Sequence, residues 1–113
     1  MNKKSLDTKK CLACEGGVDA LTPMEAEVLL KQLEPGWHLN EKATEIQRTF
    51  NFKNYYETMA FVNAIAWMAH EENHHPDLSV HYNHCVVKYN THAIQGLSEN
   101  DFICAAKIDK LFS

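Results

Sequence analysis

Apolar residues along this chain recur in two rhythms, one near four residues and one of two. From Asn54 to about Asn73, Tyr55, Met59, Val62, Ala66 and Ala69 fall on one stripe at helical spacing. Phe61, Ile65 and Met68 form a second stripe beside it. Asn54 followed by Glu57 supplies a cap. Pro76 disfavours helical geometry at the residue before it, so this helix is expected to stop near His74-His75. A helix apolar on two stripes needs cover on two sides. The chain's own sheet can cover one, and a second subunit or another helix is expected on the other. A shorter helix opens at Thr22-Pro23-Met24-Glu25, where Thr22 caps, Pro23 suits the first helical position and Glu25 completes a capping box. It carries Val28, Leu29 and Leu33 and stops near Pro35-Gly36. A last helix opens at Ser98-Glu99-Asn100-Asp101 and buries Phe102, Ala105, Ala106, Ile108 and Leu111.

The period of two marks strands. Trp37-His38-Leu39 is short and leads into a polar turn at residues 40–43. Ile46, Arg48, Phe50 and Phe52 then alternate with Gln47, Thr49 and Asn51. Arg48 breaks the apolar face, which predicts a place at an edge or an interface. Leu78, Val80 and Tyr82, then Cys85, Val87 and Tyr89, alternate on either side of an Asn83-His84 turn and read as a hairpin. The order α-β-β-α-β-β-α predicts an α+β fold, a four-stranded antiparallel sheet with three helices packed on one face. Residues 1–20, with few large apolar groups, read as a flexible N-terminal tail, and residues 21–113 as a single domain.

Charge narrows the partners. The net charge is −4, and the first ten residues hold Lys3, Lys4, Lys9 and Lys10 against Asp7. The body is therefore strongly acidic and a poor match for nucleic acid. No apolar run approaches the roughly eighteen residues of a membrane span. The basic start lacks the apolar stretch of a secretory signal. Cys11, Cys14, Cys85 and Cys104, without such a signal, predict reduced thiols and a cytoplasmic setting. Cys11-Leu-Ala-Cys14 is a CxxC with no second ligand pair at zinc-site spacing, so an incidental motif in a tail is the simpler reading.

Seven histidines are the unusual feature of the composition. The block His70-Glu71-Glu72-Asn73-His74-His75-Pro76 crowds three of them, with His92 beyond the hairpin and Asp101 in the last helix. A hairpin returns its ends to one edge, which would bring His92 back beside His74 and His75. Imidazole titrates near neutral pH, so paired rings can present one acid and one base. A helix C-terminus favours protonated His74 or His75. No activated serine or cysteine nucleophile is evident, and the chemistry best matched is proton transfer, such as loss of water from a carbinol. Two bland readings compete. His70-Glu71-x-x-His74 matches the zincin pattern literally, although that helix ends at once at Pro76. Ser98-x-x-Asp101 is also a capping box, which alone could explain Asp101.

The linked set His74-His75-Pro76, Tyr82, Thr91-His92, Gly96-Leu97-Ser98 and Asp101 resembles the pterin-4a-carbinolamine dehydratase family over about residues 20–112. Trp37 and Phe50-Asn51-Phe52-Lys53 fit the resemblance. One departure is Asn73, where animal members usually carry an aspartate. The resemblance implies a lyase that dehydrates 4a-hydroxytetrahydropterin to quinonoid dihydropterin and supports cofactor recycling for aromatic amino acid hydroxylases. It implies His74 and His92 as the acid–base pair, His75 holding the pterin substrate, and Asp101 supporting His92 or the ring. It implies no metal and no organic cofactor, and a homodimer or homotetramer. Two alternatives stand beside it: a helix-mediated binding module or coactivator, and a metal-binding protein using His70, His74 or the CxxC.

Overall fold

The computed structural model describes residues 5–12 and 19–112. Three helices, α1 (Pro23–Leu30), α2 (Tyr55–Glu72) and α3 (Glu99–Phe112), alternate with four strands, β1 (His38–Leu39), β2 (Ile46–Asn51), β3 (Asp77–Val80) and β4 (His84–Tyr89). The strands form one antiparallel sheet in the order β1-β2-β4-β3. This is the α+β order expected from the sequence. No helix among the described residues is long and apolar enough to cross a membrane.

Side chains on strands alternate faces, so only one face of the sheet can hold the core. Ile46 and Phe50 of β2 and Cys85, Val87 and Tyr89 of β4 are all buried. Register explains their meeting, because Phe50 pairs with Cys85 and Ile46 with Tyr89 across the ladder. Phe50 then packs its ring against Phe61 of α2 at 4.7 Å, Phe112 of α3 at 5.0 Å and Trp37 at 6.0 Å. The helices thus cover the same face.

Arg48 sits on that covered face rather than at an edge, since β2 lies inside the sheet. Its charge is met by Asp109 of α3 at 2.6 Å, and its guanidinium lies 4.3 Å from the Phe50 ring centre. Asp109 also accepts the Trp37 indole N–H at 2.8 Å. A half-buried arginine is tolerable only with such a partner. In α1, Ala26 rather than Val28 faces the core, and the helix ends at Leu30. The α2 stripe that faces the sheet is Phe61, Ile65 and Met68, joined by Thr58 and Ala69; Tyr55 lies outside.

Part of the segment read as a tail is seated on the domain. Leu6, in a short 3-10 turn over Leu6–Thr8, is only 3% exposed and joins the core beside α3. Lys9 pairs with Glu99 at 2.6 Å. A single large apolar residue in a polar stretch has no periodicity, so its burial left no pattern to read. Cys14 of the CxxC lies outside the described residues.

The end of α2 aims the histidine pair. Asn73 adopts the left-handed conformation (φ 53°, ψ 40°), and the His74 N–H reaches back to the Ala69 carbonyl at 3.1 Å. This is the Schellman closure of a helix, and it stops α2 at Glu72, slightly before the point that Pro76 would enforce. Asparagine tolerates this conformation, whereas a β-branched residue does not. Asn73→Gly should leave stability within a few tenths of a kcal/mol. Asn73→Val should cost about 1–2 kcal/mol, read by urea denaturation.

Candidate active site

A cavity of about 530 Å³ opens where the end of α2, the segment after β4 and the N-terminal strip meet. His74, His75 and His92 all line it, together with Asn90, Thr91 and Cys11. The hairpin of β3 and β4 is what returns the chain, as its antiparallel pairing of Leu78 with Val87 shows. The three histidines expected to converge therefore do so. They differ in freedom: His74 is largely enclosed, whereas His75 and His92 are exposed.

Asp101 does not line the cavity. It sits behind His74 on α3 with 0% exposure, and its Oδ1 accepts a hydrogen bond from the His74 ring Nε2 at 2.7 Å. Of the two roles the resemblance implied for this carboxylate, contact with His92 is not the one seen. Its other oxygen accepts the Thr91 hydroxyl at 2.8 Å and the Ser98 backbone N–H at 3.0 Å. The capping-box reading is thus half met: Asp101 caps the Ser98 amide, while the Ser98 hydroxyl turns to Thr91 Oγ1 at 2.8 Å. Because Thr91 gives its one proton to Asp101, Ser98 is the donor in that contact.

Burial opposes charge on the His74 ring, but the Asp101 carboxylate outweighs it through hydrogen bond and field, aided by Cys104. The net result is a pKa above the ordinary imidazole value. The Tyr89 ring stacks on His74 at 5.4 Å between centres, nearly parallel, and fixes the ring's plane. Tyr89 is itself fully buried at the end of β4.

Several contributors escaped sequence reasoning. Thr91 was visible only as the neighbour of His92, with nothing to mark its hydroxyl as an anchor. Glu72 accepts the Cys11 backbone N–H at 2.8 Å and pairs with Lys107 at 3.3 Å, which holds the N-terminal strip as one wall of the cavity. Asn100 adds a two-way clamp on Leu12, at 3.0 and 2.6 Å. His70 does not line this cavity; it is exposed on α2 beside Trp67. Among the described residues, no group of three or more His, Cys, Asp or Glu side chains is placed to hold a metal ion. His81 and His84 stack on each other at the hairpin tip, and His38 is exposed.

The cavity thus pairs a histidine clamped by a buried carboxylate with two exposed histidines. The family model described as pterin 4 alpha carbinolamine dehydratase matches residues 19–111. The chain belongs to the pterin-4a-carbinolamine dehydratase family, a family of hydro-lyases. It is 65% identical over 106 residues to a protein of Nitrosomonas eutropha named for that dehydratase, covering 94% of this chain and 92% of the relative. A protein of the same name from Nitrosomonas europaea is 64% identical, over 98% of this chain and 96% of its own length. Among solved structures, the transcriptional coactivator/pterin dehydratase from Brucella melitensis superposes with a TM-score of 0.79 at 29% identity, covering 84% of this chain and 100% of that one.

The raised His74 pKa has a sign that can be tested. A group whose folded pKa lies above its unfolded value of about 6.5 stabilises the fold below that pH and loses the contribution as pH rises through the folded value. In Asp101→Asn, NMR titration should find the His74 ring ionising at lower pH than in the wild type. The stability gap between the two proteins should shrink as pH climbs from about 6.5 through the wild-type His74 pKa.

Proposed function

We propose that this dehydratase removes water from a 4a-hydroxytetrahydropterin with His74 as general acid, His92 as general base and His75 holding the pterin. The C4a–O bond breaks and its electron pair leaves on oxygen, which takes a proton from the His74 imidazolium. The N5 proton passes to His92, and the N5 lone pair closes the C4a–N5 double bond. The products are quinonoid dihydropterin and water. Exchange with solvent then returns a proton to His74 and removes one from His92.

The single observation carrying this reading is the His74–Asp101 hydrogen bond of 2.7 Å at the wall of a cavity shared with two further histidines. It commits Nε2 to the carboxylate and leaves Nδ1 as the nitrogen that exchanges a proton. Asp101, buried behind His74, and Thr91, whose hydroxyl is donated to Asp101, act as positioning residues. The cavity volume suits a small bicyclic ligand, within the usual few hundred to about 1,000 Å³ of ligand sites. The reaction needs no organic cofactor or metal on this reading. Its place is in cytoplasmic recycling of the reduced pterin used by an aromatic amino acid hydroxylase.

His74→Ala and His92→Ala should each lower the rate of 4a-carbinolamine dehydration by about 10²–10⁴-fold, the usual worth of a positioned acid or base. His75→Ala should act mainly through KM. Stopped-flow absorbance of the quinonoid product gives all three, and wild-type rates in both His74→Ala and His92→Ala would remove the mechanism.

The outward face of α2 favours a second, compatible reading. Tyr56 is 82% exposed and Trp67 64%, three turns apart on the side away from the sheet. Aromatic rings left in water at helical spacing suit a helix–helix interface. We therefore assign this face to a homodimer or homotetramer contact, which could also serve a helix-mediated binding role. Light scattering should give a mass above 12.9 kDa, falling toward it in Trp67→Glu with the dehydration rate per chain retained. A monomeric wild type would refute the assignment.

A further inference from the structure

Cys11 and Cys104 are separated by most of the chain, yet their sulfurs lie 3.5 Å apart. Cys104 is buried on α3, with its sulfur 3.8 Å from the His74 carbonyl. Cys11 is partly exposed and lines the cavity. Its backbone is pinned by Glu72, and the next residue is clamped by Asn100. The encounter is thus set by several independent contacts. A disulfide needs sulfurs about 2.05 Å apart, a small approach for two side chains already touching. The third described cysteine, Cys85, is buried on β4 within the sheet and stands as an internal control.

We propose that Cys11 and Cys104 are a site of reversible oxidation by small hydroperoxides, forming a disulfide that bolts the N-terminal wall of the cavity to α3. This inference does not depend on the reaction assigned to the histidines.

The surroundings divide the work between the two sulfurs. Cys104 holds its negative charge more readily, because the Cys11 thiol, the Tyr89 hydroxyl and the His74 imidazolium face it. Charge on Cys11 is disfavoured by the contact with Cys104, by burial and by the Glu72 carboxylate. Cys104 therefore serves as the base, and its thiolate takes up the Cys11 proton across the 3.5 Å contact only as the Cys11 sulfur, the one that solvent reaches, reacts. That sulfur attacks the peroxide: an S–O bond forms, the O–O bond breaks, and the hydroxide released takes up the proton lost when the pair ionised. Cys11 is now a sulfenic acid. The Cys104 sulfur then attacks the Cys11 sulfur, the S–S bond forms, the S–O bond breaks, and the Cys104 proton leaves with that hydroxide as water. Two thiols and one hydrogen peroxide give one disulfide and two waters. A dithiol reductant reverses the bond by exchange.

The test is peroxide titration of the reduced, full-length protein, followed by thiol trapping and peptide mass mapping. The expected product has lost two hydrogens, links the peptide containing Cys11 to the peptide containing Cys104, and returns to the dithiol with dithiothreitol. Cys14→Ser should form the same link, and Cys11→Ser, a change at the partly exposed member of the pair, should abolish it. Cys85 should remain free for alkylation after denaturation. A bond between Cys11 and Cys14, a link that vanishes in Cys14→Ser, or sulfinic acid accumulating with no cross-link would each overturn the proposal.

Discussion

The Asp101 carboxylate is the constraint on which the rest of the site hangs. Taking an ionised carboxylate out of water costs several kcal/mol unless donors replace the lost hydration. Here the donors come from three separate segments: the His74 ring after α2, the Thr91 hydroxyl after β4, and the Ser98 amide before α3. Satisfying the charge therefore fixes the spacing of three element ends. The same bonds that make Asp101 tolerable in the interior put His74 where it is. Fold and site share one set of contacts, and no buried side-chain polar atom among the described residues is left without a partner.

Clamping has a chemical consequence. An unrestrained imidazole divides its time between tautomers and ring orientations. With Nε2 held by the carboxylate and the ring face held by Tyr89, His74 has one orientation and a preference for the charged form. A general acid gains from both, because the proton is present more of the time and is aimed in a fixed direction. The price in ordering has been met on folding, before any ligand arrives. The burial of Tyr89 belongs to the same arrangement, since a ring at the end of β4 can stack on His74 only if β4 ends where α2 ends. Register between the strands sets that length, with β4 pairing to β2 through Tyr89 itself.

Regular patterning in the sequence carried most of the fold. The two α2 stripes, the capping box at Thr22 and the alternation around Phe50 each map onto an element, because period and capping are local properties. The hairpin argument carried the convergence of His74, His75 and His92 for the same reason. What the sequence did not carry was anything set by contact between distant segments. Arg48 read as an edge or interface residue, and its exact place was hidden because its partner Asp109 lies on α3. Val28 read as core on its size and spacing, but Ala26 is the residue that faces the core, and Val28 lies two residues on, about 200° around the helix. Asp101 looked like a cap and is one in part, but its hydrogen bond to His74 needed the tertiary fold. Leu6, Cys11 and Glu72 formed no pattern, since a strip of chain lying across α3 has no internal period to betray it.

The contrast among the three histidines argues for how the cavity divides its tasks. Rigid groups recognise by geometry, whereas free ones must be ordered at a cost of about 0.5–1.5 kcal/mol for each side chain immobilised. His74 has been ordered by folding, but exposed His75 and His92 have not. A ligand entering this cavity thus meets one fixed reference point and two groups that settle around it. Affinity is lowered by that settling, while the orientation of the His74 ring, fixed by Asp101 and Tyr89, is unaffected. On the proposed mechanism this arrangement favours turnover over tight binding, because interactions that the free rings make only as they close in on the reacting atoms stabilise the transition state more than the resting complex.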